Sequence, residues 1–183
     1  MRNLLQKQIM DKALIRKQLS EQHQEFMAYL KALGDQALHQ QKNDKWSAIQ
    51  NLDHLLKSIQ IVNPAVRKPS FLLRRMFGKP NRETRSYDAL VQRYQERLKE
   101  ADASPPSEFK AAESRDLDPA KIFTAYDKEV HKFLKFIDGV KDRKLDRTLL
   151  PHPLLGKLLM REILYFMHYH TEHHFKAIKI SAS

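Results

Sequence analysis

Apolar residues recur at three- and four-residue spacing through most of this chain, and that spacing places them on one face of a helix. The alternation of apolar and polar residues that half-buried strands show is rare. Only four glycines occur in 183 residues, so the turns of a many-stranded sheet have little to form from. We therefore predict an all-α fold. The length suits a single domain, residues 1–183, whose core needs no cross-links.

Capping signals divide this pattern into helices. Ser47 and Gln50 form a capping box that starts one helix, and Asn63-Pro64 predicts its end near Val62. Asp118-Pro119 starts a second long helix, which Gly139 ends. Two further helical patterns lie at the ends of the chain, over residues 4–33 and 162–178. The first is one long helix or two short ones, with Ser20 as a cap and residues 1–19 as a candidate N-terminal helical extension.

The region between the two central helices, residues 63–118, holds five of the eight prolines. We interpret it as an irregular insertion with one helix, residues 87–101. The segment 70–77 (SFLLRRMF) is amphipathic, and we expect its Phe and Leu side chains to pack on the bundle. Residues 141–155 are predicted to be a basic connection to the last helix.

The formal net charge of +11 makes nucleic acid or an anionic surface a candidate partner. Lys and Arg are spread over every segment, however, and no nucleic-acid-binding motif accompanies them, so this interpretation is disfavoured. No apolar run reaches the roughly 20 residues that a membrane span needs. The basic N-terminus lacks the apolar core and cleavage site of a signal peptide, so we expect a cytoplasmic protein.

Four of the nine histidines fall within residues 168–174 of the last helix. At about 100° per residue, His170 and His174 lie about 40° apart near the middle of the apolar face. His168 points to the polar side, and His173 lies at the edge of the stripe. Two buried imidazoles present up to four ring nitrogens that need partners, and a divalent metal would engage two of them. With no cysteine in the chain, any metal must be held by nitrogen and oxygen.

His54 lies on the polar side of the second helix, together with Ser47, Asn51 and Ser58. Periodicity alone makes His54 a surface residue. If that side faces a cleft instead, these residues form a polar wall with a nitrogen ligand in its middle. The chain has no H-E-x-x-H motif, so the zincin mechanism is excluded, and no general base is assigned.

Three spaced motifs carry a resemblance to a known family: WSAIQNLDHL at residues 46–55, HPLLGKLLMRE at 152–162 and YHTEHH at 169–174. In order and spacing, the chain resembles the DinB-like superfamily, which includes YfiT-type metal-dependent hydrolases and thiol-dependent transferases. The resemblance implies a four-helix bundle, up-down-down-up, with an extra helical segment between helices 2 and 3. One departure is Leu158-Leu159, where the family commonly has a Ser or Thr cap.

The resemblance also implies a metal site. Its ligands would be His54, His170 and His174 around a divalent ion, with zinc or nickel preferred and iron or manganese acceptable to three imidazoles. Three protein nitrogens with open positions are typical of a catalytic ion. Further residues are expected to line the pocket: Ser47, Asn51, Ser58, His152 and His173.

The function that we predict is therefore a metal-dependent hydrolase or a thiol-dependent transferase acting on a small-molecule substrate or thiol, in a protein that could form a homodimer. Two alternatives stay open. One is a non-catalytic helical bundle that binds a ligand or another protein. The other, supported by the basic charge alone, is a nucleic-acid or stress-response accessory protein.

Overall fold

A computed structural model describes residues 9–42, 45–101 and 106–182. Four long α-helices and four shorter ones follow one another along this part of the chain, with two short strands before the last helix. The helices are α1 (Lys12–Ala32), α2 (Gly34–His39), α3 (Ala48–Arg67), α4 (Ser70–Phe77), α5 (Tyr87–Glu100), α6 (Pro119–Gly139), α7 (Asp142–Arg147) and α8 (Met160–Ala182). The strands are β1 (Leu149–His152) and β2 (Gly156–Leu159), and two single-turn 3-10 helices cover Ser107–Phe109 and Ser114–Asp116.

The long helices α1, α3, α6 and α8 form a bundle. Helix α3 packs against α6 and α8, and α1 packs against the same two helices. Their inward side chains form one continuous apolar core, with Phe26, Ile49, Phe133 and Tyr165 among its fully buried members. The predicted all-α fold is confirmed. Within the described residues, no helix combines the length and the apolar character that crossing a membrane requires.

The predicted caps of the two central helices are confirmed. The Ser47 hydroxyl accepts a hydrogen bond from the Gln50 amide, and the Gln50 side chain accepts one from the Ser47 amide. Asp118 caps α6 by accepting from the Lys121 amide, and Pro119 occupies the first turn, where its missing N–H costs nothing. Each capping signal acts on the helix end beside it, so the sequence alone was sufficient to predict where these two helices begin.

Two helix boundaries differ from the prediction. Helix α1 begins at Lys12 after an Asp11 cap rather than at residue 4, and it runs unbroken through Ser20, as the single-helix alternative predicted; residues 1–8 lie outside the described part of the chain. Helix α3 continues past Asn63-Pro64 to Arg67. The Asn63 side chain donates to the backbone carbonyl and the carboxylate of Glu129 on α6, and these contacts hold the last turn in place despite the proline.

The insertion contains two helices, α4 and α5, where one was expected. In α4 the Leu73 side chain is fully buried and Phe77 packs against the core, as predicted for this segment. Phe71 differs: it is 75% exposed. It lies two residues before Leu73, and this spacing turns it about 200° around the helix axis, away from the bundle.

The expected connection at residues 141–155 contains α7 and the strand β1, which pairs antiparallel with β2. His152 pairs with Gly156 at the turn of this hairpin, and Gly156 adopts a φ of +74° that favours glycine. Strand β2 leads directly into α8. The hairpin therefore places His152 beside the start of the helix that carries the histidine cluster.

Helix α8 begins without the Ser or Thr cap that the family commonly has. Instead, the Glu162 carboxylate accepts from the Leu159 amide, and the Thr148 carbonyl of the hairpin accepts from the Met160 amide. Glu162 is fully buried, and its oxygens also receive two hydrogen bonds of 2.6 Å from Arg82. The Glu162 carboxylate, which Arg82 holds in place, and the Thr148 carbonyl thus do the work of a Ser or Thr cap.

Candidate metal centre

Three imidazoles from two helices meet between α3 and α8. Nε2 of His54 lies 3.0 Å from Nε2 of His170, and Nε2 of His174 lies 3.1 Å from the same atom. Ligand atoms of all three lie within 4.8 Å of one another. His54 and His170 are 6% and 4% exposed, so this meeting point is inside the protein. The structure therefore brings together the three residues that the family resemblance implied.

The orientation of His54 is fixed by a backbone carbonyl. Its Nδ1 lies 2.6 Å from the carbonyl oxygen of Phe109, in the 3-10 turn Ser107–Phe109. Because a carbonyl oxygen only accepts, Nδ1 carries the proton. Nε2 of a neutral His54 is then a lone pair directed at the other two histidines. The turn that supplies this carbonyl also covers His54, which explains why a residue on the polar side of α3 is buried.

The orientation of His174 is fixed by Asn51. The Asn51 amide nitrogen donates to the carbonyls of Trp46 and Ser47, at 3.2 and 2.9 Å, so its oxygen points the other way. That oxygen lies 2.7 Å from Nδ1 of His174 and accepts its proton. Nε2 of His174 is therefore a second lone pair at the meeting point.

His170 lies between these two lone pairs. Its Nδ1 is buried and has no hydrogen-bond partner among the described residues. In a neutral ring one nitrogen carries the proton, so either Nε2 adds a third lone pair to the cluster or Nδ1 is left as an unsatisfied acceptor. Neither arrangement satisfies all the ring nitrogens, and buried polar atoms without partners are uncommon.

A divalent cation would accept all three Nε2 lone pairs at once, and only the Nδ1–H of His170 would then lack a partner among the described residues. Nitrogens about 2.0–2.1 Å from a metal, at tetrahedral or octahedral angles, lie about 2.9–3.4 Å from one another. The two Nε2 separations of 3.0 and 3.1 Å fall in that range. The three residues thus fit a metal ion and could hold one.

Burial keeps these imidazoles in the form that binds metal. Burial is the largest cause of the lowered pKa values of His170 and His174. Together with the neighbouring histidines, it holds the pKa of each ring well below its ordinary value. Burial also lowers the pKa of His54, against the opposing effect of its bond to Phe109. Neutral imidazole is the ligand form, so the folded protein needs to lose few protons on binding a cation.

The cluster opens onto a cleft of about 490 Å³ between α3, α5 and the β1–β2 hairpin. Its walls carry aromatic, aliphatic and proline side chains, together with five histidines: His54, His152, His170, His173 and His174. Of the other residues expected in the pocket, Ser58 lines the cleft, whereas Ser47 and Asn51 do not. Ser47 caps α3 and contacts Ser114, and Asn51 lies behind His174, so both face away from the cleft.

The remaining histidines of interest have other partners. His168 is half-buried, and its Nδ1 lies 2.9 Å from the Tyr87 hydroxyl. His23 is buried, with Nε2 2.9 Å from the Asp127 carboxylate. His23, Asp127 and the exposed His131 form a second group that could hold a metal. In this group Nε2 of His23 bonds to the Asp127 carboxylate and Nδ1 of His131 bonds to the Asp127 backbone carbonyl, whereas Nδ1 of His23 is buried without a partner among the described residues.

Three parts of the site were missed by sequence reasoning. Asn51 was expected in the pocket rather than as the partner of His174, although its place three residues before His54 on one helix was a usable signal. Nothing in the sequence points to the Phe109 carbonyl, because every residue has one. Trp46 was used only as a motif residue, yet its ring packs 5.2 Å from that of His54 and stacks at 6.4 Å with that of His174.

Comparison with known proteins assigns the chain to a family. The family model described as the DinB superfamily matches residues 18–178, which cover both helices of the histidine cluster, the hairpin and the bundle. Neither the curated proteins nor the solved structures give a significant match. The match confirms the resemblance found in the sequence motifs, and the chain therefore belongs to the DinB superfamily.

Proposed function

We propose that this protein is a metal-dependent enzyme in which His54, His170 and His174 hold a divalent ion at the wall of the cleft. The observation that carries the proposal is the fixed orientation of two of these rings. Phe109 and Asn51 each take an Nδ1 proton, and this leaves the Nε2 lone pairs of His54 and His174 directed at His170. A structural zinc site is usually closed by four protein ligands, so three nitrogens beside a cleft favour a catalytic role.

The proposed reaction is hydrolysis or thiol transfer on a small molecule. A bound divalent ion supplies Lewis acidity, which lowers the pKa of a water or thiol and polarises a carbonyl. The chain itself orients the ligand rings and surrounds them with aromatic side chains that exclude bulk water. The described residues lining the cleft include no carboxylate, so outside the three proposed ligands His173 is the imidazole available there for proton transfer.

Zinc and nickel are the proposed ions. Three imidazoles with no thiolate or carboxylate form a site of intermediate softness, and the general affinity order favours the later first-row metals. Iron and manganese bind such sites more weakly, so their occupancy depends on supply. Metal analysis of protein purified without a histidine tag identifies the ion.

Nickel binding is expected to quench the fluorescence of Trp46, because this single tryptophan of the chain lies against two of the proposed ligands. Titration of the metal-free protein should saturate at one nickel ion per chain, and added zinc should reverse the quenching by competition. The variant His54→Ala should lose the effect. The control His131→Ala removes an exposed histidine of the second group and should behave as wild type. Equal quenching in His54→Ala would contradict the site.

Replacing Asn51 with leucine is expected to weaken zinc binding about 10- to 100-fold, as is usual when the hydrogen-bond partner of a ligand histidine is lost. Leucine has a similar volume but no oxygen to receive the His174 Nδ1 proton. Affinity is measured by competition with a chromophoric chelator. Ser58→Ala on the same helix is the control, since that hydroxyl donates to the backbone carbonyl of His54. An unchanged zinc affinity in Asn51→Leu would show that Asn51 does not orient the ligand.

The non-catalytic alternative makes a different prediction. If the wild type and a His170→Ala, His174→Ala variant hold equal, substoichiometric metal, then the cluster is not a metal site and the bundle is better described as a binding module. The nucleic-acid alternative receives no support from the cleft, whose described lining contains neither Lys nor Arg.

A further inference from the structure

The cleft beside the metal centre differs in composition from the rest of the chain. Lys, Arg, Asp and Glu make up 30% of the sequence, yet none of the described residues that line the cleft is one of these. Besides the histidines, the walls consist largely of side chains such as Ile61, Val62, Tyr94, Leu98 and Phe166. A charged group placed among them would lose its hydration without gaining an ion pair, which is costly. The cleft therefore disfavours charged ligands.

One polar side chain in this wall has an unused hydrogen-bond donor. Nδ1 of His152 accepts from the backbone amides of Leu154 and Leu155, at 3.1 Å each, within the turn of the hairpin. Because Nδ1 accepts, the proton of the neutral ring is on Nε2, at the far side of the ring. No described residue accepts a hydrogen bond from Nε2. His152 is only 9% exposed and lines the cleft, so the cleft is where this donor can meet an acceptor.

Burial also keeps His152 neutral, because it lowers the pKa of this ring to about 4. At neutral pH the side chain therefore presents a hydrogen-bond donor without a positive charge. Such a donor suits the oxygen of a carbonyl group, which gains a hydrogen bond and brings no charge into the cleft.

His152 lies close to the proposed metal ligand His170, because both contact the ring of Phe166. The ring of Phe166 packs edge to face with His152 at 4.2 Å and stacks with His170 at 4.8 Å. His152 and His170 therefore contact the same aromatic ring, and the donor and the proposed ligands belong to one wall. An oxygen bound to His152 would lie on the side of the cleft where the ion is expected.

We propose that the cleft binds an uncharged, mainly apolar small molecule whose carbonyl oxygen accepts a hydrogen bond from Nε2 of His152. This inference rests on the proposed function in that it names the substrate class of the same site. The apolar body of the molecule packs among the aromatic and aliphatic walls. Molecules that carry a carboxylate or an ammonium group along that body are excluded.

The charge preference is tested on metal-free protein with three probes of equal chain length: 2-octanone, octanoate and octylammonium. Trp46 lines the cleft and is the single tryptophan, so its fluorescence reports binding. At pH 7.5, 2-octanone should bind at least about tenfold more tightly than either ion, because burying an unpaired charge is costly. Binding of octanoate or octylammonium as tight as that of 2-octanone would overturn the proposal.

The donor is tested by comparing 2-octanone with 1-octene, which has no acceptor. The variant His152→Phe keeps an aromatic ring and should weaken 2-octanone binding about two- to tenfold, the usual value of one hydrogen bond, while 1-octene binds as before. His152→Gln restores an N–H donor and should recover part of the loss. The control Phe71→Ser removes an exposed side chain of α4 and should change neither affinity. Equal loss for both probes in His152→Phe would overturn the role of the donor.

A measurement on the wild-type protein covers the case in which His152→Phe does not fold. The ¹⁵N shift of His152 Nε2 should move on addition of 2-octanone and stay unchanged with 1-octene, and a shift that moves equally with both would overturn the proposal. All these experiments use protein treated with a chelator. Failure of metal binding would therefore contradict the proposed function alone, whereas charge-independent probe binding would contradict the substrate class alone.

Discussion

The variant His170→Leu is expected to lose all stabilisation by zinc and yet to melt at a higher temperature than the wild type when both are metal-free. His170 provides the Nε2 that lies 3.0 and 3.1 Å from its two neighbours, so no ion is held well without it. In the metal-free wild type the same ring carries a buried Nδ1 that has no partner among the described residues. Leucine removes both the ligand and the unsatisfied atom.

In His170→Leu, the lost stabilisation by zinc and the gained stability of the metal-free protein have comparable magnitudes and opposite signs. Zinc at a hundred times its dissociation constant stabilises a protein by about 2.7 kcal/mol, which for a chain of this size raises Tm by about 5–10 °C. An unsatisfied buried polar atom costs about 1–3 kcal/mol, so metal-free His170→Leu should gain up to that amount. Thermal unfolding with chelator and with zinc measures both.

The matched control is His173→Leu, on the same helix and at the same cleft but outside the proposed ligand set. It should keep the full zinc-dependent rise in Tm. A rise in His170→Leu equal to that of the wild type would remove His170 from the site. A metal-free His170→Leu that melts well below the metal-free wild type would show that the ring stabilises the fold without a cation.

The variant Glu162→Gln is expected to destabilise the protein by about 3 kcal/mol, the lower end of the range for breaking a buried ion pair. The Glu162 carboxylate is fully buried and receives hydrogen bonds from Arg82, from the Arg85 amide and from the Leu159 amide. Arg82 is itself about a quarter exposed and regains some hydration, which is why the lower end applies. The Tm should fall by about 6–12 °C.

This contribution should also depend on pH. Burial by itself raises the pKa of Glu162, but the hydrogen bonds from Arg82 and from the two amides outweigh it and hold the pKa below its ordinary value. A carboxyl group with a lowered pKa stabilises the folded state fully above its unfolded pKa, about 4.3, and loses this effect as the pH falls through its folded pKa. The difference in unfolding free energy between wild type and Glu162→Gln should therefore be constant from pH 8 to 6 and shrink at acidic pH.

Urea unfolding at several pH values measures that difference. Glu25→Gln is the control, because the Glu25 carboxylate is 67% exposed and its pair with Lys179 should contribute less than about 1 kcal/mol. A difference between wild type and Glu162→Gln that grows on acidification would contradict the sign derived from the lowered pKa.

The parts of this fold that could be predicted from the sequence are those fixed by neighbouring residues. The capping boxes and the apolar stripes depend on contacts three or four residues apart, and so does the inward direction of His170 and His174. The predicted end of α3 was wrong because Asn63 contacts Glu129 on α6, more than sixty residues away along the chain. The hairpin before α8 was missed because its strands are only four residues long and precede a strong helical pattern.

The candidate site divides in the same way. His170 and His174 follow from helix geometry, whereas periodicity placed His54 at the surface. His54 is buried because the 3-10 turn Ser107–Phe109 covers that side of α3. Phe109 is fifty-five residues from His54 along the chain, so helical periodicity does not reveal this contact. The donor of His152 also depends on backbone amides in the hairpin turn, and a pattern of side chains does not reveal these.

Phe109 gives the cleft and the metal centre a common element. Its carbonyl fixes the ring of His54, while the same residue lines the cleft. A molecule that holds this turn against α3 would strengthen ion binding, and a bound ion would hold the turn for the molecule. Thermodynamic reciprocity requires the two affinities to change by the same factor. The ion and the substrate would then be cooperative ligands, and the free energy that couples them would be measurable from either side.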